Sequence, residues 1–157
     1  MHPMPEEGGA EVRLAPRLVE AMRAALEAAL PEEGCGLLFG RGQCVERVVP
    51  IQNALHSPVR FRLEPQAQLA AMQGADEQGL ELLAIYHSHP RGPDHPSATD
   101  IEEAAYPQAA YLIWWQDGAG GWQVELFWLE GLKDLGAPRG YRLGRLRVES
   151  EGEGRPA

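Results

Sequence analysis

Leu80 to His89 (LELLAIYHSH) is the run around which this chain has to fold. It is rich in Leu, Ile and Tyr and reads as a buried strand, which Pro90 ends by removing the next backbone donor. Residues 90–96 then hold three prolines and one glycine in seven positions, which makes a stiff loop rather than an element. A short helix is expected from about Thr99 to Tyr106, closed off before Pro107. Residues two apart on a strand point the same way, so His87 and His89 present both imidazoles to one side at the strand's end. Asp100 lies eleven positions beyond His89, in the first turn of that helix, from where its carboxylate can swing back toward them.

The rest of the chain alternates helices and strands. Pro16 opens a helix with Leu18, Met22, Leu26, Ala29 and Leu30 at helical spacing, and Pro31 stops it. Gly36 to Gly40 (GLLFG) is a short buried strand, Val45 to Ile51 a second, and Gly42 sits in the turn between them. Pro58 to Leu63 (PVRFRL) alternates as a half-buried strand should, and Pro65 begins a helix through Gln78 that Gly79 ends. Tyr111 to Trp115 and Trp122 to Leu129 are strands joined by Asp117-Gly-Ala-Gly-Gly121, a hairpin signal. Tyr141 to Val148 (YRLGRLRV) is expected as a last edge strand. The organisation expected is a flexible N-terminus over 1–10, one domain over 11–130, and an edge strand with a disordered tail over 131–157. The fold class is α+β, a curved and mostly antiparallel sheet flanked by two or three helices.

Composition narrows the function. A formal charge of −9 argues against nucleic acid as a partner, because phosphate binding needs clustered Lys and Arg. No apolar run approaches a membrane span, and no signal-peptide pattern opens the sequence. Two cysteines, Cys35 and Cys44, are too few for a disulfide framework or a cysteine-rich metal site. A cytoplasmic protein with reduced thiols is expected.

Two imidazole nitrogens, one carboxylate and an open fourth position are the pattern of a catalytic rather than a structural zinc site. His87-Ser-His-Pro followed by Ser97-Ala-Thr-Asp100 resembles the signature of the JAMM (MPN+) metalloproteases, His-x-His-x10-Asp with Ser three before the Asp. That family also has a Glu upstream of a Cys-Gly-Leu strand, and the matching segment here is Glu33-Gly-Cys-Gly-Leu-Leu-Phe-Gly40. The likeness covers roughly Leu18 to Leu129 and points to the compact prokaryotic branch. It implies an MPN/JAB-like, cytidine-deaminase-like sandwich, with one zinc ion held by His87, His89 and Asp100. Glu33 would be the general base, and Ser97 would hydrogen-bond the developing oxyanion. The implied activity is a zinc isopeptidase or peptidase cutting after the C-terminal Gly-Gly of a ubiquitin-like or sulfur-carrier protein. Gly34 departs from the family, where a bulkier residue is common, and is expected to matter little for the chemistry.

Plainer readings stand beside these. Ser97-x-x-Asp100 and Thr99-x-x-Glu102 both read as capping boxes. Glu32 becomes the base if the register slips by one, and His95 in the mouth loop is either a solvated residue or a ligand. Cys35 is expected to pack as a small hydrophobe beside the site. Two histidines and a carboxylate also suit a non-haem iron oxygenase. MPN domains that have lost their ligands serve as non-catalytic interaction scaffolds, which have no reason to keep the whole set Glu33, His87, His89, Ser97 and Asp100.

Overall fold

A computed structural model of the chain describes residues 11–106, 108–129 and 140–150. The expected flexible N-terminus and the end of the expected tail, residues 151–157, lie outside the described residues. The strands are β1 (Glu11–Leu14), β2 (Cys35–Arg41), β3 (Cys44–Ile51) and β4 (Glu81–His89). They continue with β5 (Ala110–Gln116), β6 (Trp122–Leu129), β7 (Tyr141–Leu143) and β8 (Arg145–Val148). Three helices, α1 (Pro16–Ala29), α2 (Pro65–Glu77) and α3 (Ala98–Glu103), complete the described elements.

The sheet runs in the order β7-β6-β5-β4-β2-β3-β1-β8. Pairs β2–β3, β2–β4, β5–β6 and β6–β7 are antiparallel. Pairs β4–β5, β1–β3 and β1–β8 are parallel. A parallel neighbour cannot be reached by a tight hairpin, so β4 and β5 need a crossover, which the proline loop and α3 provide. That crossover brings α3 back to the C-terminal end of β4, where the histidines are.

The two faces of the sheet carry two cores. Leu18, Met22 and Leu26, spaced four apart on α1, bury against Leu38, Ala84, Tyr86, Ala110, Leu112 and Trp114. Met22 and Leu26 are almost wholly covered, each contributing about 1.5–3 kcal/mol. The alternate residues of the same strands, Leu37, Phe39, Ile85 and Tyr111, bury on the other face with Ala75 of α2. By the same alternation His87 and His89 belong to this second face. Leu30 is held extended (ψ 140°) ahead of Pro31, so α1 stops and the chain turns through Glu32 and Glu33 into β2.

The structure departs from the sequence expectations in three places. β1 is four residues long, too short to register as periodicity, yet Val12 and Leu14 are core residues. The segment 58–63 forms no strand beyond a single bridge, Asn53 to Leu63. Its backbone bonds are divided: the Arg62 carbonyl accepts from Ala54 N–H, while the Asn53 side chain takes the others, with the Arg60 carbonyl accepting from Nδ2 and the Arg62 N–H donating to Oδ1. Residues 141–148 are two strands rather than one. Gly144 breaks the run where its N–H donates to the Leu126 carbonyl at 2.8 Å. A Cβ there would stand 2.1 Å from Leu126 Cδ2 and 2.7 Å from Trp128 Nε1, so no other residue fits without displacing those side chains. β7 pairs with β6 and β8 with β1, so one short segment lines both edges of the sheet.

Candidate metal centre

His87 and His89 are buried, at 0% and 2% exposure. Their Nε2 atoms lie 3.0 Å apart. Asp100 Oδ2 stands 3.0 Å from His89 Nε2 and 3.3 Å from His87 Nε2. Donors about 2.0–2.1 Å from a tetrahedral ion are separated by roughly 3.3 Å, so this triangle has the size of one face of such a site.

The protons point the same way. His89 Nδ1 lies 2.7 Å from the Pro93 carbonyl, which can only accept, so Nδ1 carries a hydrogen. A neutral His89 therefore turns a lone pair at Nε2 toward the carboxylate of Asp100. Two lone pairs at 3.0 Å repel unless a cation stands between them, and one shared proton cannot satisfy the His87 nitrogen as well. The donor set fits a metal ion. His87 Nδ1 is buried without a hydrogen-bond partner, and the ring stacks on Phe61 with centroids 4.3 Å apart.

Electrostatics favour the ligand forms of Asp100 and His87. Burial disfavours the Asp100 carboxylate, but the two imidazoles against it and the Ser97 N–H hold its carboxyl well below the usual range. Burial pushes the His87 imidazole down against the pull of Asp100, which favours the neutral, metal-binding form. Burial acts likewise on His89, yet Asp100, the Pro93 carbonyl and Glu33 outweigh it and raise that imidazole.

Glu33 is the fourth buried group, at 3% exposure. One of its carboxylate oxygens and a nitrogen of each histidine lie within 4.8 Å of one another, a group able to hold a metal ion. Its Oε1 is buried without a partner, and burial drives the carboxyl up to about 8, with His89 opposing and Asp100 reinforcing. The backbone around it is pinned. Glu33 N–H donates to the Ser57 carbonyl at 2.8 Å, and Asn53 Nδ2 donates to the Glu33 carbonyl at 3.0 Å. Gly34 N–H donates to Ser88 Oγ at 2.9 Å while Ser88 N–H donates to the Gly34 carbonyl at 3.0 Å. The residue between the two histidines thus ties their strand to the Glu33 turn. Gly34 has a packing reason, since a Cβ there would stand 2.6 Å from Leu26 Cδ2 on α1.

The remaining predicted residues separate cleanly. Ser97 caps α3: its Oγ accepts from Asp100 N–H at 3.0 Å, and its own N–H donates to Asp100 Oδ2 at 2.9 Å. The box aims the Asp100 carboxylate while the Ser97 hydroxyl keeps a proton to donate. Glu32 lies outside the buried group and meets His56 instead. His95 pairs with Asp94 and stacks on Tyr141, away from the other histidines. Cys35 is buried and donates to the Ile51 carbonyl, and burial, with Glu33 and Glu32, pushes its thiol up to about 12. Asn53, Phe61 and Ser88 were not singled out from sequence as site residues. Only the position of Ser88 between the histidines could have pointed to it.

The chain is similar to known proteins over most of its length. Residues 15–129 match the family model described as prokaryotic homologs of the JAB domain. A Thermus thermophilus protein named "Probable TtuB-protein conjugate cleaving protease" is 47% identical over 102 residues, covering 64% of this chain and 68% of that one. A Pyrococcus furiosus protein named "Desampylase" is 43% identical over 70 residues, covering 45% of this chain and half of its own length. A Desulfitobacterium hafniense protein solved in solution superposes with a TM-score of 0.73 at 33% identity, covering 93% of this chain and 99% of that one. This chain belongs to the prokaryotic JAB-domain family.

Proposed function

We propose that this protein is a zinc metallopeptidase that cleaves the amide bond after the C-terminal Gly-Gly of a ubiquitin-like or sulfur-carrier protein. The observation that carries the proposal is the convergence of His87, His89 and Asp100 on one point, with the unpartnered Glu33 carboxylate beside it. The names of the two relatives, a conjugate-cleaving protease and a desampylase, support the substrate class.

His87, His89 and Asp100 would hold the ion. When bound, zinc supplies positive charge that polarises a carbonyl and lowers the pKa of water to about 7. Glu33 takes a proton from the attacking water and returns it to the leaving nitrogen, while hydroxide adds to the carbonyl carbon and the C–N bond breaks. The Ser97 hydroxyl donates to the oxygen on which negative charge develops. Pro93 keeps the His89 proton on Nδ1, leaving Nε2 for the metal. Beside Asp100 runs a hollow lined by Phe61, Leu63, Thr99, Tyr106 and Tyr111, suited to the acyl half of the substrate. Diglycine lets that backbone approach the centre closely.

We read the protein as cytoplasmic, which the two free cysteines support. No described helix is long and apolar enough to cross a membrane. The test is cleavage of a Gly-Gly-linked fusion before and after chelation. Loss of cleavage on metal removal and return with zinc is expected, and cleavage indifferent to the chelator overturns the proposal. The His87→Ala variant is expected to lose bound zinc by metal analysis.

A further inference from the structure

Two hollows flank the candidate centre, and they differ in which catalytic carboxylate lines them. One is walled by Asp100 and does not reach Glu33. The other is walled by Glu33, Glu32, Asn53, His56 and the end of α1, and does not reach Asp100, His87 or His89. A group that carries a proton to the leaving nitrogen has to stand on the leaving side of the scissile bond. This assigns the amine half of the substrate to the hollow on the Glu33 side.

That hollow has the chemistry to discriminate. Its lining holds the Glu32 carboxylate and the Glu33 carboxyl with neither lysine nor arginine, whereas the Asp100 side carries Arg62 and an Arg60–Glu103 ion pair beside Asp100. Glu33, whose Oε1 is buried without a partner, is shared between this hollow and the histidine pair. Glu32 is about one-third exposed, and His56 Nδ1 lies 3.3 Å from both of its carboxylate oxygens. His56 occupies the left-handed region at φ 48°, a conformation uncommon outside glycine, and its N–H donates to the Asn53 carbonyl. The loop that clamps Glu33 therefore also holds an imidazole against Glu32, fixing that carboxylate at the rim.

Building on the hydrolase reading above, we infer that Glu32 is a specificity-determining residue favouring leaving amines flanked by a cationic side chain, lysine or arginine, next to the scissile nitrogen. A carboxylate at a partly wetted rim attracts such a group and repels an acidic one, and at this kind of site the discrimination is on the order of 10-fold.

The test uses the zinc-loaded full chain and two Gly-Gly fusions that differ only in the residue after the scissile bond, Lys in one and Glu in the other. The readout is the ratio of kcat/KM values, with bound zinc measured alongside. The parent is expected to favour Lys by about 10-fold. Glu32→Lys is expected to invert the ratio and Glu32→Gln to bring it within about 2-fold of unity. Inversion is an outcome that a merely structural role for Glu32 does not produce. Equal rates for the two fusions in the parent, or a parent-like ratio in zinc-bound Glu32→Lys, overturn the inference and leave the hydrolase reading standing. Should Glu32→Lys fail to hold zinc, an unchanged ratio in Glu32→Gln overturns it equally. Failure of the parent to cut either fusion removes the hydrolase reading, and the inference with it.

Discussion

Replacing Glu33 with Gln keeps the side chain's shape and removes only its capacity to accept a proton. The Glu33→Gln variant is expected to bind zinc as the parent does and to lose about 10²–10⁴-fold in kcat. Parent-like turnover in the zinc-bound variant would refute the base assignment. The same substitution reads out the perturbed carboxyl in the metal-free protein. The Glu33 carboxyl stands at about 8 in the folded state against 4.5 ordinarily, so between those values the folded protein holds a proton that the unfolded chain has released. Its contribution is complete below about pH 4.5 and lost as the pH rises through about 8. Tm of the chelated parent is therefore expected to fall more steeply over this window than that of chelated Glu33→Gln. Parallel curves would show that Glu33 titrates normally. At this scale His87, His89 and Asp100 were legible in the sequence, because a strand's two-residue alternation and a proline stop need no knowledge of the rest of the fold. Phe61, which stacks on His87 from 26 positions away in sequence, has no such local mark.

Between the elements, Asn53 does the work that a partner strand does elsewhere. Its Nδ2 donates to the carbonyls of Glu33, Ser57 and Arg60, and its Oδ1 accepts from Leu55 and Arg62. Asn53→Ala strands several buried backbone groups at once and is expected to cost about 3 kcal/mol of stability by denaturant unfolding. It is also expected to lower kcat, since the Glu33 carbonyl loses its anchor, and an unaltered kcat would limit Asn53 to stability. This clamp explains why 58–63 looked like a strand. The alternation of Arg60, Phe61, Arg62 and Leu63 is real, with Leu63 buried, but bonds that a partner strand would make at Arg60 and at the Arg62 N–H are taken by a side chain. Hydrophobic patterning reports which face is covered, not what supplies the bonds. Helices α1 and α2 were legible within a residue or two because prolines mark their starts and a proline or glycine their ends.

For the molecule as a whole, the α+β class followed from the element pattern, while the sheet order did not. Nothing in the spacing of YRLGRLRV tells that its halves pair with strands at opposite edges, because the break depends on Leu126 packing against the bare backbone of Gly144. Without residues 140–157, the eight-residue β6 and the four-residue β1 become the rims of the sheet. The truncated protein is expected to associate into sedimenting aggregates at concentrations where the full chain stays monodisperse, because the long, largely apolar rim of β6 recruits further strands. A monodisperse truncated protein would contradict this. The arrangement also sets an order of events during synthesis: a nascent chain that has already made His87, His89, Asp100 and every strand through β6 still has both flanks uncovered, and one late stretch of eight residues, 141–148, seals the left and the right together.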